Sequence, residues 1–78
     1  MITPSQCRAA RALIQLSQAR LAEAASISKQ TLVDFERGAR QPYDRTLADI
    51  VKALEAAGVE FIPENGGGAG VRLRKREG

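Results

Sequence analysis

The chain has no histidine and a single cysteine among its 78 residues. Without histidine, neither a Ser-His-Asp nor a Cys-His catalytic set can be assembled within one chain. One thiol, Cys7, cannot close an internal disulfide and supplies too few ligands for a zinc site. Nothing beside Cys7 would lower its pKa, so it is expected in the core rather than in redox chemistry. No apolar run approaches the roughly 18–20 residues of a membrane-spanning helix. The opening MITPSQ does not place basic residues ahead of an apolar stretch, as a secretory signal does. No internal repeat is visible. These absences argue against an enzyme, a metal or cofactor site and a membrane partner, and the default expectation is a cytoplasmic protein of one small domain. So short a chain buries a modest fraction of its surface, and a second copy would add to it.

What is present is charge in blocks. The net charge is +3. Residues 1–43 hold six basic and three acidic groups, residues 44–70 two basic and five acidic, and residues 71–78 four basic and one acidic. Two basic segments flanking an acidic one suit a protein that turns one face to a polyanion.

Helical punctuation recurs four times. Thr3-Pro4-Ser5-Gln6 combines a capping threonine, a proline suited to the first turn and a T-x-x-Q box. It predicts a helix running to about Leu16, with Cys7, Ala10, Leu13 and Ile14 as its apolar stripe. Ser17 predicts the cap of a second helix over about 18–25, with Leu21, Ala22 and Ala25 inward. Ser28 predicts the cap of a third over about 29–37, with Ile27, Leu32 and Phe35 inward, and Gly38 closes it. Asp44 is expected to cap a fourth helix over about 45–57, which presents Leu47, Ile50, Val51 and Leu54 and is closed by Gly58. Beyond it the period changes to two. Residues 59–62 and 71–74 alternate as strands do, around the reversal Asn65-Gly66-Gly67-Gly68-Ala69-Gly70. The expected fold is mainly α: four helices over residues 1–58, then a hairpin and basic tail over 59–78 in the same unit.

Residues 18–37 meet the demands of a helix-turn-helix in order: apolar groups at the crossing (Leu21, Ile27, Leu32, Phe35), a small residue at closest approach (Ala22), a sharp turn, then polar residues leading the second helix. With Ser17-Gln18, Leu21-Ala22, Ile27-Ser28, Leu32, Phe35-Glu36-Arg37-Gly38 and Pro42, the chain resembles the Cro/phage-repressor (XRE) family of transcriptional regulators over about residues 3–58. The resemblance implies a lambda-repressor-like DNA-binding domain. It departs at Ser26, where that family usually has glycine; a left-handed serine costs roughly 1 kcal/mol.

The third helix offers an outward row of Ser28, Lys29, Gln30, Val33 and Asp34, expected to face bases in a DNA major groove. Lys29 can donate to guanine, Gln30 can bind adenine bidentately, and Val33 suits a thymine methyl. Asp34 could accept from cytosine or pair with Lys29, Gln30 or Arg37. Phosphate contacts are expected from Gln18, Thr31, Arg37, Arg40 and Tyr43. For Gln18, both the open N–H groups at a helix start and its role in the resembled family imply this. The family also has a buried arginine–glutamate pair at the places of Arg11 and Glu36, so these two are expected to brace the fold.

In the tail, Arg72, Arg74 and Arg76 should share a strand face and pair across the hairpin with Glu60 and Glu64; the alternative is phosphate contact by Arg74, Lys75 and Arg76. Unpaired strand edges suggest a homodimer through Phe61, Ile62, Val71 and Leu73. The function expected is a dimeric, sequence-specific repressor of a palindromic operator, with double-stranded DNA as ligand. The rival is a protein-interaction module, an antitoxin or anti-activator with its own protein partner.

Overall fold

The computed structural model describes residues 2–74. It begins with the reciprocal cap predicted from Thr3 and Gln6. The Gln6 N–H donates to Thr3 Oγ1 at 3.1 Å, and the Thr3 N–H donates to Gln6 Oε1 at 2.9 Å. Helix α1 covers Pro4–Ile14, α2 Gln18–Ala25, α3 Lys29–Glu36 and α4 Asp44–Ala56; strands β1 (Val59–Ile62) and β2 (Gly70–Leu73) follow. The fold is thus mainly helical with a small C-terminal antiparallel hairpin. Among the described residues no helix is long and apolar enough to cross a membrane.

The first three helices stop in the same way. A left-handed residue comes directly after α1 and α2 and, past Arg37, after α3; its own N–H and that of the next residue turn back to carbonyls of the last turn. At α1, Gln15 donates to Ala12 O and Leu16 to Arg11 O; at α2, Ser26 to Glu23 O and Ile27 to Ala22 O; at α3, Gly38 to Phe35 O and Ala39 to Asp34 O. Only the third position is glycine; Gln15 has φ 54° and Ser26 φ 58°. The first helix is therefore shorter than its apolar period predicted, because Gln15 leaves the helical region and Ile14 is the last helical residue, two before Leu16.

The core joins Cys7 and Ala10 of α1, Leu21, Ala22 and Ala25 of α2, Leu32 and Phe35 of α3, Leu47, Ile50 and Leu54 of α4, and Val59 of β1. Leu13 departs from the expected stripe, being 41% exposed, while Ile14, expected in the same stripe, packs against the core. Val51 is half-buried. Asp44 is the first residue of α4 and not its cap; Tyr43 occupies the cap position without a side-chain cap bond. The acidic group still lies in the first turn, where it favours the helix dipole.

The hairpin pairs Val59 with Leu73, Glu60 with Arg72, Phe61 with Val71 and Ile62 with Gly70. Facing pairs share a side of the sheet, so Val59, Phe61, Val71 and Leu73 line one face. Val59 is fully buried, and Phe61 and Val71 pack against the core. Gln6 also locks this element to α1, its amide N–H groups reaching Gly70 O at 3.0 Å and Ile62 O at 3.4 Å. Phe61 and Val71 are thus engaged within one molecule, while Leu73 stays 52% exposed.

The expected arginine–glutamate face forms in part. Arg72 pairs with Glu60 across the strands. Glu64 lies beyond β1 and folds into its own loop, accepting from the Gly66 and Gly68 N–H groups at 2.8 and 3.0 Å. Those bonds hold its pKa below the usual glutamate range. Arg74 donates to the Glu55 carbonyl at 3.2 Å, at the end of α4. Lys75 and Arg76 lie outside the described residues.

Candidate nucleic-acid interface

Glu36 ends α3 with only 2% of its surface exposed. A lone carboxylate there would carry a heavy desolvation cost. It is instead enclosed by three donor side chains from two helices. Arg11 of α1 donates through Nε to Oε2 and through Nη2 to Oε1, both at 2.7 Å. Cys7 Sγ donates to Oε2 at 3.1 Å, and Gln18 Nε2 donates to Oε1 at 2.9 Å. Arg8 Nη1 reaches the Glu36 backbone carbonyl, and Arg11 Nη1 reaches Leu16 O at 3.1 Å. The carboxylate therefore ties α1, the α1–α2 turn, the start of α2 and the end of α3 to one point.

The electrostatics follow from the geometry. Burial pushes the Glu36 pKa up, but bonds from Arg11, Cys7 and Gln18 and the Arg11 charge outweigh it, so the group is held below its ordinary value. Burial, then the bond and charge of Glu36, push the Cys7 thiol far above the usual thiol range. Cys7 is accordingly an S–H donor and an inert part of the core. The Arg11 pKa is raised, chiefly by its bonds to Glu36. Among the described residues no buried side-chain nitrogen or oxygen lacks a partner.

This brace sets the pose of α2 and α3, and the outward row of α3 follows. Ser28, Lys29 and Gln30 are exposed; Thr31, Val33 and Asp34 are half-buried. Ser28 Oγ is engaged as the cap: it accepts from the Thr31 N–H at 3.1 Å and is hydrogen-bonded to Thr31 Oγ1 at 2.7 Å, either hydroxyl donating. Gln30 Nε2 donates to Asp34 Oδ1 at 2.9 Å, one helical turn on. Of the partners considered for Asp34, it is therefore Gln30 that bonds it. Arg37 and Arg40 are exposed beyond the C-terminal end of α3, and Tyr43 is 81% exposed before α4.

Gln18 stands at the junction of brace and surface. Its amide nitrogen carries two N–H groups, of which one suffices for Glu36. The first N–H groups of α2 have no intrahelical partner. Ser17 Oγ takes the Arg20 N–H at 3.1 Å, so the N–H groups just before it are open to an anion. Sequence reasoning missed the share of Cys7, Arg8 and Gln18 in the brace. The signal was faint: Cys7 and Arg11 are one turn apart on α1, so a group meeting one can meet the other.

A helix-turn-helix family model matches residues 8–61, more than half of the chain and all of α2 and α3. The chain belongs to the Cro/C1-type (XRE) helix-turn-helix family. No curated relative matches it. XRE domains are DNA-binding regulatory modules, generally without enzymatic activity. The XRE match reaches into β1 but stops before β2, so the second half of the hairpin lies outside it.

Proposed function

We propose that this XRE protein is a transcriptional repressor that binds a palindromic operator as a homodimer, with the first turn of α3 in the major groove. The observation that carries the reading is the exposed polar row at the start of α3, held in one pose by the buried Glu36 brace. Lys29 and Gln30 contact base edges, Val33 meets a thymine methyl, and Ser28 and Asp34 flank them. Gln18, Thr31, Arg37, Arg40 and Tyr43 grip phosphates on either side, and so fix the register. Repression acts by occupancy of the site. DNA as ligand places the protein in the cytoplasm with the nucleoid.

The dimer forms through the edges of the hairpin, with the exposed Leu73 as its apolar contact. Phe61, Ile62 and Val71 support that edge from within the monomer. Two copies so joined would set their recognition helices about 34 Å apart on one side of the duplex.

Gel-shift titration on duplexes selected from a random pool tests the DNA reading. Lys29→Ala with Gln30→Ala is expected to abolish the preference for selected over random duplex, and the affinity of the wild type should fall steeply with salt. A protein that ignores duplex DNA while retaining a co-purifying partner would replace this reading with the protein-interaction one. Leu73→Asp leaves Val59 in the core and is expected to convert a dimer to monomers by light scattering. An unchanged dimer would move the interface elsewhere.

A further inference from the structure

The DNA reading leaves open why a helix that enters a polyanion should present a carboxylate. The answer lies in the bond between Gln30 Nε2 and Asp34 Oδ1, 2.9 Å long and on the outward side of α3. We propose that Asp34 is a positioning residue that fixes the Gln30 amide so that the pair reads adenine and rejects guanine. This inference rests on the proposed docking of α3 in the major groove.

The chemistry is that of a planar amide with one acceptor and two donors. Turned over, Gln30 would set its carbonyl oxygen against the Asp34 carboxylate, acceptor against acceptor. The carboxylate therefore holds the nitrogen end toward itself and consumes one N–H. What remains for a base is one acceptor, Oε1, beside one N–H donor. Adenine presents the complement in the major groove, an N6 amino donor beside the N7 acceptor. Guanine presents two acceptors, O6 and N7, so one of them would face Oε1 and both would lie near a negative charge. A glutamine free to turn and with both N–H groups available makes no such distinction. Asp34 thus gives up some attraction to phosphate in exchange for a decision between the two purines.

The bond joins an exposed residue to a half-buried one, outside the core, so variants at either position test recognition without unfolding the domain. Full-length wild type, Gln30→Ala, Asp34→Ala and Asp34→Asn are each carried through selection from a random duplex pool, with circular dichroism as the check on folding. The position read by Gln30 is the one whose preference disappears in Gln30→Ala. The wild type is expected to select adenine there over guanine by roughly tenfold or more, the scale of one bidentate contact. Asp34→Ala is expected to lower that ratio by roughly tenfold while raising affinity for random duplex. Asp34→Asn keeps an acceptor for the Gln30 N–H and should stay within about threefold of the wild-type ratio while also gaining random-duplex affinity. Guanine or a pyrimidine at the Gln30-dependent position overturns the proposal, as does an adenine preference that survives Asp34→Ala intact. Those outcomes leave the DNA reading standing. A wild type that enriches no sequence at all would overturn the DNA reading, and this proposal with it.

Discussion

Asp34 and Glu36 are carboxylates on the same helix, separated by one residue, with opposite surroundings. Glu36 is enclosed by donors from Arg11, Cys7 and Gln18 and has its pKa held down. Asp34 is half-buried on the outward side and bonds one neighbour on its own helix, Gln30. A helix turns about 100° per residue, so two steps carry a side chain to the far face. The difference teaches that α3 has a structural face and a recognition face, and that chemical type alone does not say which a residue serves. Its partners do.

The sharpest way to break the contrast is Glu36→Ala. It removes the acceptor of three side chains and leaves Arg11 charged and poorly paired, which is expected to cost about 3–5 kcal/mol. Against a total stability on the order of 5–10 kcal/mol for a small domain, urea unfolding should show a large loss. A loss below about 1 kcal/mol would remove Glu36 from its place as the brace.

Acid should act on the same group. Its folded pKa is depressed, so the unfolded state binds the proton more readily. Its stabilisation is complete above the ordinary glutamate value of roughly 4.3 and is lost as pH falls through the lowered folded value. Glu64 is depressed too and shares this window. Unfolding curves of Glu64→Gln separate the two: the acid slope should persist without Glu64. If it vanishes, the loop carboxylate carries the pH dependence and not the brace.

Cys7→Ala is expected to cost about 1–2 kcal/mol, from a lost bond to a charged acceptor and a small void in the core. Cys7→Ser keeps a donor toward Glu36 and should lose less. Equal losses would mean that packing alone explains Cys7.

A smaller effect, of opposite sign, is expected at the turn that joins the two helices. Ser26 has φ 58°, a conformation that glycine adopts without the penalty of a Cβ. Ser26→Gly should raise the stability by about 0.5–1 kcal/mol in thermal or urea melts. On the other side of the comparison, Asp34→Ala should shift stability by no more than about 0.5 kcal/mol. A larger loss would make Asp34 structural and erase its contrast with Glu36.

Much of this architecture was legible in advance, for local reasons. Thr3 with Gln6, Ser17, Ser28, Gly38 and Gly58 mark helix ends through short-range hydrogen bonds or backbone freedom. Leu21, Ala22, Leu32 and Phe35 mark the inner side of the two-helix unit through helical spacing. The early stop of α1 was not legible. Gln15 carries no sign of a left-handed residue, and Leu13 fits the apolar period although its side chain is exposed. The hairpin was legible as an element through its alternation. Which of its residues faced inward was not, since Val59, Phe61, Val71 and Leu73 share a face and only the attachment to α1 and α4 leaves Leu73 outside.

By itself the sequence determined the helix boundaries to within a turn, the helix-turn-helix and the polar row that leads α3. Each depends on groups within a few positions of one another, where capping and periodicity act. Tertiary structure alone decided that Glu36 gathers Cys7, Arg8 and Gln18 besides the expected Arg11, and that Gln6 caps one helix while holding the hairpin. Most of these bonds join residues distant in sequence. A buried carboxylate takes whichever donors the packed helices bring within about 3 Å, and no local pattern encodes that choice.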